Sequence, residues 1–158
     1  FWGNVGLQQS LGCVNRRPSM STVITDNLTG KTSAGNVTIT SEGGSATMQL
    51  QQGVAKAWVN VDATGTPAAR DSLNFSSILD NSAGDFTLSW SSSMANGNYS
   101  VTGMTENFGV SSNTTCVLGV HTGTLPSSSS ITLTTVRTAS TSTVERNVNC
   151  ASIFGDLA

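Results

Sequence analysis

The chain has 158 residues and a net charge of −2; 10% of its residues are charged, 37% are hydrophobic, and close to three in ten are Ser or Thr. Its seven Lys and Arg and nine Asp and Glu are scattered without runs, so no basic stripe exists to neutralise a phosphate backbone, which argues against nucleic-acid binding. No apolar run approaches the roughly 20 residues of a bilayer span, and no basic amphipathic helix offers itself to a membrane surface.

Thr, Val and Ile favour extended chain, Ser, Asn and Gly favour turns, and strong helix formers are sparse. The composition therefore predicts an all-β protein. The first residue is Phe1 rather than Met, as expected of a processed product or of the ordered part of a longer polypeptide. Phe1-Trp2 and Leu7 to Val14 are apolar, and residues 1–34 read as a docking or anchoring segment in which Phe1 and Trp2 make subunit contacts. Residues 35–53 read as an extended β connector. In it, Asn36 to Thr40 alternates, Glu42-Gly43-Gly44 is a turn, and Ala46 to Leu50 is again extended. So thin a pair of strands cannot hold itself together in water, and it must pack on the rest of the chain or on a neighbouring chain.

Residues 54–158 read as an antiparallel β-sandwich of about seven to eight strands. Ala57, Val59 and Val61 face one way, with Lys56, Trp58 and Asn60 on the other side. The alternation continues with Leu73, Phe75, Ser77 and Leu79, then Phe86, Leu88 and Trp90, then Tyr99, Val101 and Gly103. After these come Cys116, Leu118 and Val120, then Ile131 and Leu133, and finally Val148, Cys150, Ser152 and Phe154. Asp80 to Asp85 reads as a hairpin loop, Asn96-Gly97 as a tight turn, and Pro126 with Ser127 to Ser130 as a polar loop. Trp58 points away from Val59 and Val61, so both faces of one strand carry bulk. Its cover is expected from a neighbouring subunit or from residues 1–53 of the same chain.

The segment Asn36-Val37-Thr38-Ile39-Thr40-Ser41-Glu42-Gly43-Gly44, followed by Leu50-Gln51-Gln52-Gly53-Val54-Ala55-Lys56-Ala57-Trp58-Val59-Asn60, resembles tail-fibre-like proteins of marine bacteriophages, including those infecting cyanobacteria. The likeness continues through Thr64-Gly65-Thr66, Arg70 to Ile78, Asp80-Asn81, Gly84 to Leu88, Met94 and Asn98 to Val101. Ile153-Phe154-Gly155-Asp156-Leu157-Ala158 looks like the family's C-terminus. Ala63 and Pro67 depart from the family pattern, and residues 105–147 match poorly, as variable loops would. The resemblance implies a C-terminal sandwich of a virion appendage, a homotrimer that contacts other virion proteins and attaches the phage to a glycan or protein of the host surface. The alternative is a capsid-decoration or tail-assembly protein with no receptor role.

Polar loops on a rigid sheet suit recognition. The candidate receptor-binding residues are Glu106, Asn107 and Phe108, in the stretch Met104 to Thr115, and His121 with Thr122, where Thr122 to Ser130 follows. Other chemistry is weaker. Asp80 and Asp85 read as turn formers rather than calcium ligands, which would need six to eight oxygens. Asp62 and Asp71 bracket Arg70 as a surface ion pair rather than a glycosidase dyad, having no aromatic cluster beside them. His121 reads as a strand-end histidine; three copies gathered at a trimer axis would be its only route to a metal. The sequons at Asn27, Asn36, Asn74, Asn98 and Asn113 follow from composition. Cys13, Cys116 and Cys150 are too few for a disulfide framework, and a Cys116–Cys150 bond would require an oxidising compartment. No catalytic residue, metal or cofactor is expected, and the chain reads as a structural and binding module rather than an enzyme.

Overall fold

A computed structural model describes residues 23–31, 37–41, 43–106, 115–138, 140 and 142–158. The anchoring residues Phe1 and Trp2 and the candidates Asn107 and Phe108 lie outside this range. Ten strands are described: β1 (Thr38–Thr40), β2 (Thr47–Gln49), β3 (Ala57–Asp62), β4 (Ala68–Leu73), β5 (Phe75–Ser82), β6 (Asp85–Trp90), β7 (Ser100–Thr105), β8 (Cys116–Val120), β9 (Ser130–Arg137) and β10 (Asn149–Phe154), with one helical turn, α1 (Leu50–Gly53). Two four-stranded antiparallel sheets, ordered β4-β3-β10-β7 and β5-β6-β9-β8, form a β-sandwich.

The core lies where the central strands face each other. β3 supplies Ala57, Val59 and Val61 and β10 supplies Ala151 and Ile153; the second sheet answers with Phe86, Leu88 and Trp90 of β6 and Ile131 and Leu133 of β9. Small side chains on one sheet and large ones on the other fill one shared volume, and each large one contributes roughly 1.5–3 kcal/mol by leaving water. The strict alternation of β3 and β6 in sequence is the alternation of burial in the fold.

The last strand runs opposite to expectation. Asn149, Ala151 and Ile153 point inward, while Cys150, Ser152 and Phe154 form the outer row. Counting apolar residues favoured the wrong row because a buried asparagine heads the right one. Asn149 is 1% exposed and bridges the sheets: its Oδ1 accepts from the Thr135 hydroxyl of β9 at 3.1 Å, and its Nδ2 donates to the Arg146 carbonyl at 2.9 Å. Both polar ends are paired, which makes an amide tolerable there.

The expected single face Leu73-Phe75-Ser77-Leu79 is also corrected. The chain leaves the first sheet at Asn74, which adopts φ 55°, a left-handed conformation that asparagine tolerates better than most residues. The Asn74 side chain holds this corner by donating to the Ser92 carbonyl at 3.0 Å and accepting from the Ser92 N–H at 2.6 Å. A register shift between Phe75 and Ser77 then reverses parity, so Ile78 packs on the core and Leu79 stands 63% exposed. The Asp80–Asp85 hairpin closes through Ala83-Gly84 as expected. Gly84 has φ 72°, and a Cβ there would sit 2.4 Å from the Val144 carbonyl oxygen, so the position admits only glycine.

The extended arm before the sandwich is described from Val23. Val23, Ile24 and Leu28 are exposed, and β1 pairs with β2 in a two-stranded sheet exposed along its length. At its base, Lys56 turns back instead of standing outward beside Trp58. Its amine donates to the Val54 carbonyl at 2.7 Å and to that of Gln51, and Gln52 donates to Asp156. Trp58 is half-buried on the outer face, in register with Leu73 of β4 and Ser152 of β10. Asn149→Ala should destabilise the protein by about 2–3 kcal/mol, because Thr135 and the Arg146 carbonyl lose their partner inside the core. Urea unfolding monitored by tryptophan fluorescence reads this as a lower midpoint.

Candidate functional site

The antiparallel topology sorts the loops onto two ends. The near end holds the arm's junction with β3, the Asn74 corner, the β6–β7 connection, the β8–β9 connection and residues 155–158. The far end holds the β3–β4, β5–β6, β7–β8 and β9–β10 connections. Glu106 follows β7 at the far end, whereas His121 follows β8 part-way along the second sheet, its N–H donating to the Thr132 carbonyl of β9 at 3.0 Å, and Thr122 continues into the β8–β9 connection.

At the far end Glu106 has a bracing role. Its carboxylate accepts from the Asn147 N–H at 2.7 Å. Arg70 donates to the Asp62 carboxylate at 2.8 Å and to the carbonyl and side chain of Asn147, while Glu145 accepts from the Gly65 N–H at 3.0 Å. Asp62 also accepts from the Thr64 hydroxyl at 2.6 Å and the Thr64 N–H at 3.0 Å. The Thr64 hydroxyl, then its N–H, and least the Arg70 charge hold the Asp62 carboxyl below its ordinary range, against a small opposing effect of desolvation. The Arg–Asp pair is thus Arg70–Asp62, whereas Asp71 accepts from its neighbour Ser72 at 2.8 Å. Each carboxylate is engaged in shaping its own loop.

His121 also has a local role. Its Nδ1 accepts from the Gly123 N–H at 3.1 Å, which leaves the proton on Nε2, 3.7 Å from the Asp85 carboxylate. With one ring nitrogen on a backbone donor and the other facing a carboxylate, neither is placed to activate a serine or threonine hydroxyl. Among the described residues no three His, Cys, Asp or Glu side chains gather as a metal site. Cys116 and Cys150 are not joined to each other by a disulfide. Cys116 faces the core, where Arg146 directs Nε and Nη2 at its sulfur from 3.2 and 2.9 Å, and Cys150 lies opposite Met104 on the outer face.

A recess at the near end joins three distant parts of the chain. Its polar lining is Gln52 from α1, Asn96 and Asn98 from the β6–β7 connection, and Asp156. Tyr99, Ser100, Phe154 and Gly155 complete the lining, and the volume is about 370 Å³. The wall segments are fastened rather than draped. Met94 is buried in the core and its N–H donates to Ser128 at 2.7 Å; the Ala95 N–H donates to the Asp156 carbonyl at 2.8 Å, and the Ala158 N–H to Ser93 at 3.0 Å. Asn96 caps its own turn by accepting from the Asn98 N–H at 2.7 Å. Gly97 lies so close to Pro126 that a Cβ would fall 2.2 Å from its carbonyl oxygen.

Tyr99 ties the start of β7 to the second sheet. Its hydroxyl donates to the Ser130 carbonyl at 3.0 Å, and its ring meets Trp90 edge-on, with centroids 6.5 Å apart. Burial raises the phenol above its ordinary value of 10.0, offset in part by the Trp90 indole. Sequence reading had placed Tyr99 only as a strand residue and Asn96 only as a turn former; Gln52 and Asp156 carried no signal beyond the resemblance. Chemically the recess offers hydrogen-bond donors and acceptors. No family model matches the chain, and neither a curated protein nor a solved structure does.

Tyr99 is the chain's one tyrosine, so alkaline titration followed by phenolate absorbance reads it alone. The folded protein should ionise above pH 10. Since the folded state then holds a proton that the unfolded state releases, stability should fall as pH rises from about 10 through the folded pKa. Tyr99→Phe should abolish both the absorbance and this tyrosine-linked loss of stability.

Proposed function

We propose that this chain is a subunit of a virion appendage, similar to a tail fibre of marine bacteriophages, whose sandwich attaches the particle to the host-cell surface. The observation that carries the reading is the near-end cleft: side chains of recognition chemistry set in walls fixed by hydrogen bonds on a rigid sandwich. The order of many short motifs between Asn36 and Val101, and again from Ile153 to Ala158, supports the phage assignment.

A homotrimer accompanies this reading. The outer face of the first sheet carries Trp58, Leu73 and Phe154, with Met104 beside Cys150, and Met104 is 69% exposed. Apolar side chains so grouped on one sheet face suit a contact between copies. Trp58→Asp should convert the trimer to monomers in light scattering while leaving the sandwich folded.

Adsorption blocking tests the function. Purified, folded protein added to host cells should slow removal of the parent virus from solution in a saturable manner. Absence of inhibition by the properly assembled oligomer, even in large excess, would transfer the assignment to a capsid-decoration or tail-assembly role.

A further inference from the structure

We infer that the near-end cleft is a saccharide subsite that takes an uncharged pyranose bearing adjacent hydroxyl groups. The assignment rests on the attachment reading above and names the ligand of the same cleft. Its first support is the donor and acceptor inventory. Gln52, Asn96 and Asn98 each carry a planar carboxamide that pairs one acceptor with two donors, and a sugar hydroxyl is likewise both donor and acceptor. Gln52 donates to Asp156 and Asn96 accepts from the Asn98 N–H, and an apolar ligand would strip water from the polar groups these bonds leave open and return no hydrogen bond, which is costly.

Shape and charge narrow the class. The lining is more polar than apolar, which suits a ligand rich in hydroxyl groups. Among the described lining residues there is no Lys, Arg or His, and Asp156 is the one charged side chain. A phosphate, sulfate, uronate or sialate would meet that carboxylate without a counter-charge, so acidic sugars are rejected. The volume, about 370 Å³, lies toward the small end of the range of ligand sites and suits the end of a glycan rather than a long chain segment. The Asn96 turn, the Gly97–Pro126 approach and the Tyr99–Ser130 hydrogen bond set the walls in advance, so little ordering cost falls on binding.

The test uses the full chain with methyl glycosides of glucose, galactose, mannose and N-acetylglucosamine, beside methyl glucuronide and N-acetylneuraminic acid. Saturation-transfer NMR and titration should show saturable binding of at least one neutral glycoside and of neither acidic sugar. Asn98→Ala should weaken that binding by about tenfold, the scale of one lost hydrogen bond. Asp156→Asn should admit methyl glucuronide while retaining neutral binding, a gain that a misfolded variant could not produce. Leu79→Ser, on the exposed edge of β5, should change nothing. The inference is overturned if no neutral glycoside binds, if both cleft variants bind like the parent, or if a host-surface peptide occupies the cleft and no sugar does. Should the protein block adsorption while binding no sugar, the saccharide assignment falls and attachment stands. Sugar binding without any block on adsorption leaves the subsite established and removes the attachment role.

Discussion

The hydrogen bond between Thr135 and Asn149 is the contact on which the register of the two sheets depends. Both residues are almost fully buried, and each lies in the inward row of a central strand. A one-residue slip of β10 would turn Asn149 outward, bring Cys150 into the core and leave the Thr135 hydroxyl without its partner. The apolar residues around it supply most of the stabilising free energy but little direction. A polar pair inside them makes the neighbouring registers costly, because an unpaired buried amide or hydroxyl is penalised far more than a paired one is rewarded.

From that register the ends of the molecule follow. With β10 between β3 and β7, the tail after Phe154 emerges at the end where β6 hands over to β7, so Asp156 meets Ala95 and Gln52. At the opposite end the start of β10 draws Asn147 beside Arg70 and Glu106. Among the described residues one end carries a network of ions and backbone groups, and the other a recess. The two ends differ because the carboxylates at the far end are engaged with backbone N–H groups and Arg70, whereas the near end carries amides around a space.

Much of the fold was legible in the sequence. Val59, Val61, Phe86, Leu88, Ile131 and Leu133 announce their strands because their neighbours in the pleat are polar or point away from the core, and the hairpin at Gly84 is written in its turn residues. Two features misled pattern reading for physical reasons. Asn149 reads as an outward residue until its partner in β9 is known, and the corner at Asn74 divides what looks like one alternating strand between two sheets. The cleft was illegible for a third reason: residues 52, 96–100 and 154–156 share no local pattern, and only the order of strands brings them together. The proposed loops around Glu106 and His121 read as neighbours in the chain, but the strand order assigns them to different sheets, Glu106 after β7 and His121 after β8.

The Gln52–Asp156 hydrogen bond joins the arm to the tail at the very rim of the recess, and Lys56 secures the same junction a few residues on. Tension between the arm and anything held in the recess therefore has a short route. It passes through α1, this junction and the last residues of the chain. A load on that corner would reach the ends of β3 and β10, which pair with each other, before it reached the second sheet.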